Sequence, residues 1–451
     1  MPGALTIRGG TVIDGRGGAP LGNAAVRIDD RRITAVGPSP SLPATADEID
    51  ATGRYLIPGL VDMHVHIQTP DVERLPLFLA AGVTTVLDLG GQVPDLLHYR
   101  RLLAKGQRPG PRLLFTGPLL EEAGVFPGFA RISHQMTRPV EDEVAALADA
   151  GVDAIKLYIT VRAETARRAV RAAHARGLRV FMHQQATWGA DAADAGVDCL
   201  EHLMVFGDLA PDRDRPDAGR MTPFEYGGWL WRWFHDVDVD GPRVRDLIGR
   251  LVAAGTALDP TLVLFAARPA AMGDDGGDSS VDDPERSAAM VYLAPETAAD
   301  VRNRWLERRQ VGVAASEGAR ARTRVAWSKM LHLVGMFHEA GGVVLTGTDC
   351  PNVAIVPGFS LHREMELLTR TGMSAREVLM AATWRAAERL DRADEFGTIE
   401  PGRSADLLIL TADPLADIRN TRAIERVVAR GEVMTPDQIL ADLGSANGGN
   451  G

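Results

Sequence analysis

Apolar runs with the length of buried strands recur through the middle of the chain, and most are followed by a stretch with helical periodicity. There are eight such runs, at residues 56–66, 83–89, 112–115, 154–158, 179–183, 199–202, 257–264 and 343–348. The amphipathic stretches include 141–150, 162–176, 243–254 and 323–340, several of which end at a glycine. A strand followed by a helix, repeated eight times, is typical of a parallel barrel whose functional site lies at the carboxyl ends of its strands. We therefore predict an α/β chain built around a (β/α)8 TIM barrel.

The two ends of the chain carry short strand-like runs separated by Gly, Asp and Pro turns. They lie at 5–8, 11–13, 25–28 and 32–36, and again at 397–399, 405–410 and 426–430. We predict that residues 1–55 and 393–436 form one small β-sandwich, with the barrel of residues 56–392 inserted between them. Two stretches near 206–242 and 266–322 interrupt the alternation and are predicted to be loop insertions. Residues 437–451, which end in Gly and Asn, are predicted to form a flexible tail.

Composition and charge favour a protein that works on a small molecule rather than on nucleic acid. The chain carries 60 Asp and Glu residues against 49 Lys and Arg residues, a formal net charge of −11. Its two cysteines, Cys199 and Cys350, are far apart and suggest no disulfide framework, which suits a reducing cytoplasm. No apolar stretch reaches transmembrane length, and the first residues lack the pattern of a signal peptide. We expect a cytoplasmic protein with a small-molecule substrate and no membrane or nucleic-acid partner, and a homo-oligomer stays open.

The first apolar run ends in two histidines, His64 and His66, which are separated by one residue. On a strand, residues two apart project from the same face, so both imidazoles point toward one place. Neutral imidazole is a common ligand of zinc and similar ions. An ordinary pair of strand-end histidines is the alternative, so this motif alone does not predict a metal site.

Four further residues that can bind a metal fall at the ends of other predicted strands. Lys156 lies in the fourth run, His183 ends the fifth, His202 ends the sixth, and Asp349 follows the eighth. Each has an ordinary structural alternative: a lysine that extends its amine to solvent, a hydrogen-bonded core histidine, or an aspartate that caps a turn. A parallel barrel gathers its strand ends around one axis, so the joint placement predicts a metal centre.

A buried lysine between two cations would have a lowered pKa, and its neutral amine can react with carbon dioxide to give a carbamate. Such a carboxylated Lys156 would bridge two divalent ions. The predicted ligands are His64, His66 and Asp349 on one ion and His183 and His202 on the other. Two neighbouring ions would hold a hydroxide and lower its pKa toward neutrality.

Motifs along most of the chain extend this prediction. They are LIPGLVDMHVH at 56–66, GVTTV at 82–86, GVDAIK at 151–156, GVDCLEH at 196–202, GTD at 347–349, AAT at 381–383 and GTIEPGRSAD at 397–406. Together they resemble the amidohydrolase superfamily, in particular the branch that contains imidazolonepropionase-like proteins and metal-dependent dipeptidases acting on Xaa-Pro or Xaa-Arg substrates. Imidazolonepropionases themselves resemble this pattern with a single metal and no bridging lysine, so Lys156 favours the dipeptidase-like relatives.

The resemblance implies a hydrolase that cleaves a carbon–nitrogen amide bond of a small substrate, such as a dipeptide or an N-acyl amino acid. It implies two divalent ions, usually zinc, a carboxylated Lys156, and attack by a hydroxide that bridges the ions. The residue in the position of Asp349 accepts the proton of the water and delivers it to the leaving nitrogen. Two alternatives stay open: hydrolysis of a cyclic amide, lactone or other ester at the same site, and a non-catalytic barrel that serves as a scaffold.

Tyr158 and Gln185 are predicted to line the substrate site beside the metals. Tyr158 lies two residues after Lys156 and is expected to face the same side, so its hydroxyl is a candidate catalytic group that polarises a carbonyl; a tyrosine packed at the mouth of the barrel is the alternative. The family commonly continues the fifth-strand histidine as His-Ala-His-Gly, whereas this chain has His183-Gln-Gln-Ala. Gln185 supplies hydrogen bonds there but neither a charge nor a proton, which sets the substrate of this chain apart.

Three further residues, Tyr226, Trp229 and His362, are weaker candidates for substrate contacts. Tyr226 and Trp229 lie in the aromatic stretch after the sixth run, and His362 follows the eighth. Trp229, Trp231 and Trp233 alternate, so they would share one face on a strand and would scatter on a helix. They are predicted to line a pocket, to form a subunit interface, or to be buried within the loop.

Overall fold

Strands and helices alternate through the middle of the chain. The computed structural model describes residues 4–42, 45–67, 74–210, 221–271, 290, 295–352 and 355–447. Its strands are β1 (Leu5–Val12), β2 (Leu21–Asp29), β3 (Arg32–Pro38), β4 (Asp47–Asp50), β5 (Tyr55–Pro58), β6 (Leu60–Val65), β7 (Val83–Asp88), β8 (Arg112–Phe115), β9 (Leu119–Glu121), β10 (Ser133–Gln135), β11 (Ala154–Leu157), β12 (Arg179–Met182), β13 (Cys199–Glu201), β14 (Ala257–Asp259), β15 (Leu407–Leu410), β16 (Ile424–Ala429) and β17 (Glu432–Met434).

The helices lie mostly between the central strands. They are α1 (Leu75–Ala80), α2 (Val93–Ala104), α3 (Val140–Asp149), α4 (Ala163–His174), α5 (Gly189–Asp194), α6 (Pro223–Phe234), α7 (Pro242–Ala254), α8 (Leu262–Ala271), α9 (Pro295–Val313), α10 (Glu317–Glu339), α11 (Phe359–Thr369), α12 (Ala375–Ala381), α13 (Trp384–Arg389) and α14 (Pro436–Asn447). Within this part of the chain, no helix combines the length and the apolar character that a membrane span requires.

Both ends of the chain contribute to one eight-stranded sheet. Its order is β17-β16-β15-β5-β1-β2-β3, and β4 pairs with β1. The link between the two ends is the antiparallel pairing of β5 with β15, in which Leu56 lies opposite Ile409. Ile7, Val26 and Leu407 are fully buried in the core of this sheet. The association of the two ends therefore follows the sequence prediction, and a second layer of a sandwich stays a prediction.

The first predicted run, 56–66, is divided between two sheets. β5 belongs to the terminal sheet and ends at Pro58, β6 belongs to the central sheet, and Gly59 lies between them. Pro58 has no N–H to continue a ladder. A Cβ on Gly59 would lie 2.1 Å from Oγ1 of Thr84, so only glycine lets the backbone pass this close to β7. The chain passes from the terminal sheet to the central sheet after residue 58, whereas the predicted boundary lay after residue 55.

The central strands are parallel and largely buried on both faces, as the continuous apolar runs predict. They form two groups, β6-β7-β8 and β10-β9-β11-β12-β13-β14. A hydrogen bond from the N–H of Asp153 to the carbonyl of Phe115, 2.8 Å long, joins the groups. The α/β fold with parallel strands therefore agrees with the sequence prediction.

The seventh and eighth predicted runs differ from regular strands. β14 ends at Asp259, and residues 262–264 of the seventh run already belong to α8. The eighth run and the residues just after it make only isolated bridges, Val344 with Leu258 and Cys350 with Val65. Its backbone nevertheless bonds to β14 and to β6, because Leu345 donates to Leu258 at 2.9 Å and Met63 donates to Thr346 at 2.9 Å. The left-handed backbone of Asp349, with φ 59°, is incompatible with a continuous strand.

Residues 437–447 do not form the predicted flexible tail, because they belong to α14. Thr435 and Gln438 make a capping box at the start of this helix: the N–H of Gln438 donates to Oγ1 of Thr435, and the N–H of Thr435 donates to Oε1 of Gln438. Ile439 and Leu440 are buried and anchor the helix. Residues 448–451, and the parts 211–220, 272–289 and 291–294 of the predicted insertions, lie outside the described residues.

Candidate metal centre

The four histidines predicted as ligands lie side by side at the carboxyl ends of the central strands. His64 and His66 come from β6 and the residue that follows it, and their ring centroids are 5.2 Å apart. His202 follows β13, and its ring lies 5.0 Å from that of His64. His183 follows β12, and its ring lies 4.7 Å from that of His202. Because the carboxyl ends of the central strands lie together, imidazoles that are up to 138 residues apart in sequence, from position 64 to position 202, are neighbours.

Asp349 joins this group from the eighth run. Its Oδ1 lies 3.5 Å from Nε2 of His64 and 3.2 Å from Nε2 of His66. Burial alone would raise the pKa of Asp349, but the neighbouring imidazoles of His64, His66 and His202 lower it well below its usual range. Asp349 is therefore an ionised carboxylate, which suits a ligand of a hard cation or a proton acceptor.

Lys156 reaches the same region from β11, and its side chain is buried. Its Nζ lies 3.7 Å from Oε1 of Glu201 and has no hydrogen-bond partner among the described residues. Burial lowers the pKa of Lys156, against the opposing effect of Glu201. A lysine in this setting favours the neutral amine more than an exposed lysine does.

Burial favours the neutral, metal-binding form of three of the imidazoles, those of His64, His183 and His202. Burial lowers the pKa of His64, lowers that of His183 well below its usual value, and lowers that of His202 to about 3. Nε2 of His183 is buried and has no hydrogen-bond partner among the described residues. An unsatisfied buried nitrogen is costly unless something else occupies it. Neutral imidazole nitrogens together with one carboxylate are a donor set that fits a divalent ion such as zinc.

Two buried carboxyl groups that were not predicted from the sequence lie behind His64. Nδ1 of His64 is 2.5 Å from Oε2 of Glu201 and 3.9 Å from Oδ2 of Asp259. Glu201 lies in β13 and Asp259 in β14, and neither is exposed. A Cβ on Gly347 would lie 2.1 Å from Oδ2 of Asp259, so the glycine of the Gly-Thr-Asp motif makes room for this carboxyl group. The sequence signal for such groups is an acidic residue inside an apolar strand, since a buried charge requires a partner.

A third carboxyl group, that of Asp62, ties β6 to the eighth run. It accepts hydrogen bonds from the backbone of His64 at 3.2 Å, from the backbone of Thr348 at 3.1 Å and from Oγ1 of Thr348 at 2.7 Å. Burial raises its pKa to about 7, and the hydrogen bonds oppose that rise. Asp62 thereby fixes the backbone on both sides of the pair formed by His64 and Asp349.

The backbone is left-handed at three residues of this region. His202 has φ 63°, Asp349 has φ 59° and Thr261 has φ 45°. Such conformations are uncommon for residues other than glycine and cost of order 1–3 kcal/mol each. Their accumulation at one place indicates that the surrounding structure holds these residues against their local preference.

Tyr158 lies beside His183, as its position two residues after Lys156 predicts. The two rings make an edge-to-face contact with centroids 5.0 Å apart. Burial raises the pKa of Tyr158 well above its usual value, so the hydroxyl keeps its proton and is a hydrogen-bond donor. Glu121, at the end of β9, lies behind it and accepts hydrogen bonds from the backbone and the hydroxyl of Thr160 at 3.0 and 2.6 Å.

Gln185 is buried and links two segments above the strands. Its Nε2 donates a 2.7 Å hydrogen bond to the carbonyl of Met221, just before α6. This contact holds the segment after β12 against the start of α6. Gln185 thus lies two residues from His183, and its amide is engaged by a neighbouring loop.

Tyr226 and Trp229 belong to an aromatic row on α6. The ring of Tyr226 lies 5.3 Å from that of Trp229, and the ring of Trp229 stacks on that of Trp233 at 6.1 Å. Tyr226 is 1% exposed and also faces Trp188 at 6.5 Å. The row follows the helical spacing of 226, 229 and 233, so these residues pack against one another.

Trp231 points away from this row, as a helix requires for alternate residues. Its ring lies 6.4 Å from Phe265, and the guanidinium of Arg268 lies 5.1 Å from its centroid. Trp231 therefore joins α6 to α8.

His362 is not brought to the site. Its Nδ1 lies 2.9 Å from Oγ1 of Thr421, and its Nε2 lies 2.9 Å from the carbonyl of Ala81. Burial lowers its pKa to about 3, so the ring is neutral. Both nitrogens connect α11 to neighbouring loops, and the expected substrate contact is replaced by this packing role.

Known proteins are similar to this chain in sequence. A model described as the amidohydrolase family matches residues 55–434. Imidazolonepropionase from Streptomyces griseus subsp. griseus is 49% identical over 418 residues, which covers 88% of each chain. Matches to dihydroorotase from Mycobacterium tuberculosis are shorter: the chain spans 14% of the length of that relative, at 46% identity over 61 residues.

Solved structures share the fold over nearly the whole chain. A candidate prolidase from Bifidobacterium longum has a TM-score of 0.66 at 25% identity, covering 98% of this chain and 99% of its own. A Xaa-Pro dipeptidase with methionine bound in its active site has a TM-score of 0.64 at 18% identity, covering 96% of this chain and 100% of its own. The second likeness is one of fold alone.

Proposed function

Because the chain belongs to the amidohydrolase family, we propose that it is a binuclear metal-dependent hydrolase that cleaves a carbon–nitrogen amide bond of a small substrate. The observation that carries the proposal is the convergence of four imidazoles, a carboxylate and a buried amine at the ends of separate strands. The residues are His64, His66, Lys156, His183, His202 and Asp349. We place the active site there, in a closed (β/α)8 barrel that carries a terminal β-sandwich, within a cytoplasmic enzyme.

The proposed ligand sets divide this group in two. His64, His66 and Asp349 would hold one ion, His183 and His202 would hold the other, and Lys156, carboxylated on its amine, would be a ligand shared by both. The short distances from Asp349 Oδ1 to both Nε2 atoms support the first set. The unsatisfied Nε2 of His183 supports the second. When bound, two divalent ions, zinc in our proposal, polarise a carbonyl and lower the pKa of water.

The residues of the chain then supply proton transfer and orientation. The Asp349 carboxylate, ionised in its buried position, accepts the proton of the attacking water and returns it to the leaving nitrogen. The Tyr158 hydroxyl, which keeps its proton, donates a hydrogen bond to the substrate carbonyl oxygen. Asp62 keeps His64 and the eighth run in register, so that Asp349 stays opposite the histidines.

The substrate class we favour is a dipeptide or an N-acyl amino acid. The likeness to a candidate prolidase supports a linear amide, as does Lys156 at the position of a bridging ligand. A cyclic amide is the second candidate, because an imidazolonepropionase is 49% identical over most of the chain. The same site would also open a lactone or another ester, since the attack on the carbonyl is shared by these reactions.

Metal analysis of protein purified without chelator tests the site. We expect about two ions per chain in the wild type and in Lys105→Ala, a matched control on the surface after α2. We expect Lys156→Ala to lose at least one ion, and intact-mass measurement of the wild type to show one added CO2. A Lys156→Ala protein that keeps both ions and full activity would refute the bridging role.

A substrate panel tests the reaction. It should contain Xaa-Pro and other dipeptides, N-acyl amino acids, an imidazolone and simple lactones, each assayed with the metal-loaded protein. We expect release of free amino acid from one of the linear amides. Turnover confined to the imidazolone or the lactones would replace the linear amide with the second candidate.

A further inference from the structure

Thr261 has a backbone conformation that its side chain disfavours. Its φ is 45°, in the left-handed region, where a β-branched residue is a true outlier. Thr261 is fully buried between the end of β14 and the start of α8. A strained residue persists only where the surrounding structure determines it, so its position requires an explanation.

The usual explanation, a helix cap, does not apply to Thr261. A threonine just before a helix normally has an extended backbone, and its hydroxyl accepts the N–H of the second or third helical residue. Here the N–H of Val263 instead donates to Oε2 of Glu364 at 2.7 Å. Glu364 comes from α11, far along the chain, and takes over the capping of α8. The hydroxyl of Thr261 is therefore available for another contact.

That contact is with His202. Oγ1 of Thr261 lies 2.6 Å from Nδ1 of His202, and both residues are buried. The backbone N–H of His202 also donates to the carbonyl of Asp259 at 2.7 Å. The turn at 259–261 therefore holds His202 by its main chain and by its ring at once.

A similar close contact is found at His64, whose Nδ1 lies 2.5 Å from Oε2 of Glu201. In both histidines a side-chain oxygen from another strand end lies close to Nδ1, at 2.6 Å in His202 and at 2.5 Å in His64. The ring nitrogen that remains is Nε2, and in His64 it faces Asp349. An outer hydrogen-bond acceptor on one nitrogen of a histidine fixes which nitrogen binds metal and how the ring is oriented.

We propose that Thr261 is a positioning residue whose hydroxyl accepts the Nδ1–H of His202 and so reserves Nε2 of that ring for the metal. The inference rests on the proposed function, because it assumes that His202 is a ligand. The left-handed turn directs the hydroxyl of Thr261 toward the ring of His202, which accounts for the strained backbone at Thr261. At His64, the side chain that lies next to Nδ1 is that of Glu201.

Substitutions at Thr261 separate the hydroxyl from the shape of the side chain. Thr261→Val keeps the β-branched shape and removes the hydroxyl, whereas Thr261→Ser keeps the hydroxyl and removes a methyl group. Metal affinity is measured by competition with a zinc chelator on the full-length protein. We expect Thr261→Val to weaken one of the two ions by about 10- to 100-fold and the other much less, with Thr261→Ser within about threefold of the wild type.

Thr261→Gly distinguishes positioning from folding, because glycine adopts positive φ without strain. We expect the metal-free Gly variant to melt no lower than the metal-free Val variant, yet to lose metal affinity as the Val variant does. A merely structural role would instead give affinities that follow the melting temperatures.

The outcomes are distinguishable. If the wild type binds two ions and Thr261→Val binds both equally well, the positioning role is refuted and the proposed function stands. If Thr261→Gly keeps the affinity of the wild type, the role is refuted as well. If the wild type itself binds no stoichiometric metal, the proposed function fails, and the inference fails with it.

Discussion

The buried carboxyl group of Glu121 should make the protein less stable as the pH rises from acid to neutral. The residue is 0% exposed, and burial raises its pKa from the ordinary value of 4.5 to about 7, against two hydrogen bonds from Thr160 that lower it. Between these pH values the unfolded chain has already lost the proton that the folded chain still holds. The stabilisation is therefore complete below the lower value and is lost as the pH rises through the upper one.

The size of the effect follows from these two values. Each unit of difference in pKa corresponds to about 1.4 kcal/mol, so the interval from 4.5 to about 7 amounts to about 3 kcal/mol. Other buried acids, including Asp62 and Glu364, have raised pKa values too, so the wild type alone reports their sum. Glu121→Gln removes one titrating group and keeps an oxygen that accepts the bonds from Thr160. The free energy of unfolding of the wild type minus that of Glu121→Gln should fall by about 3 kcal/mol across this interval.

Urea denaturation followed by tryptophan fluorescence, at several values between about pH 5 and pH 8, measures this difference. Glu164→Gln is the control, because the side chain of Glu164 is 70% exposed and pairs only with Arg167 at 2.7 Å in the described structure. We expect the difference between the wild type and the control to vary little with pH. A Glu121→Gln difference that stays constant within about 0.5 kcal/mol over the same range would refute the reasoning.

Two further predictions concern packing around the site. Gly347→Ala should destabilise the protein by about 1–3 kcal/mol and lower its metal content, because the new Cβ would lie 2.1 Å from Oδ2 of Asp259 and 2.6 Å from Cβ of His64. Gly249→Ala, on α7 with nothing within 4 Å of the new atom, is the control and should stabilise by about 0.5–1 kcal/mol. Trp229→Ala should lower the free energy of unfolding by about 3 kcal/mol, and Trp229→Phe by less than half of that, because the ring stacks between Tyr226 and Trp233. A rise in KM with unchanged stability in Trp229→Ala would instead make this ring a substrate contact.

Much of the site could be predicted because its residues share one simple position, the end of a buried strand. His183 and His202 each follow an apolar run of ordinary length, and parallel strands bring such ends together whatever the sequence distance. Lys156 was predicted in the same way and lies within β11, one residue before its end. The prediction needed only the alternation of strands and helices and the residue type at each strand end.

Local patterns were less informative where one run serves two purposes. The run 56–66 looks continuous, but Pro58 and Gly59 pass the chain from one sheet to another. The segment Thr435-Pro-Asp-Gln438 was readable as a capping box, and the Gly- and Asn-rich end obscured it. His362 has a residue type that suggests chemistry, and only its contacts with Ala81 and Thr421 reveal a packing role.

The residues that contact the predicted ligands from outside, namely Thr261, Glu201 and Asp259, were not predicted from the sequence. Thr261, in Asp-Pro-Thr before a helix, has the sequence of an ordinary cap, and the carboxylate that displaces it from that role comes from Glu364, about a hundred residues later. No local rule predicts a threonine at positive φ, because the rule describes the preference that this residue violates. Glu201 and Asp259 did leave a signal: each is an acid within an apolar strand, where an unpaired charge would cost several kcal/mol. Since such an acid requires a nearby partner, the presence of Glu201 one residue before His202 already points to a buried polar group beside it, and in the structure Nδ1 of His64 lies 2.5 Å from Oε2 of Glu201.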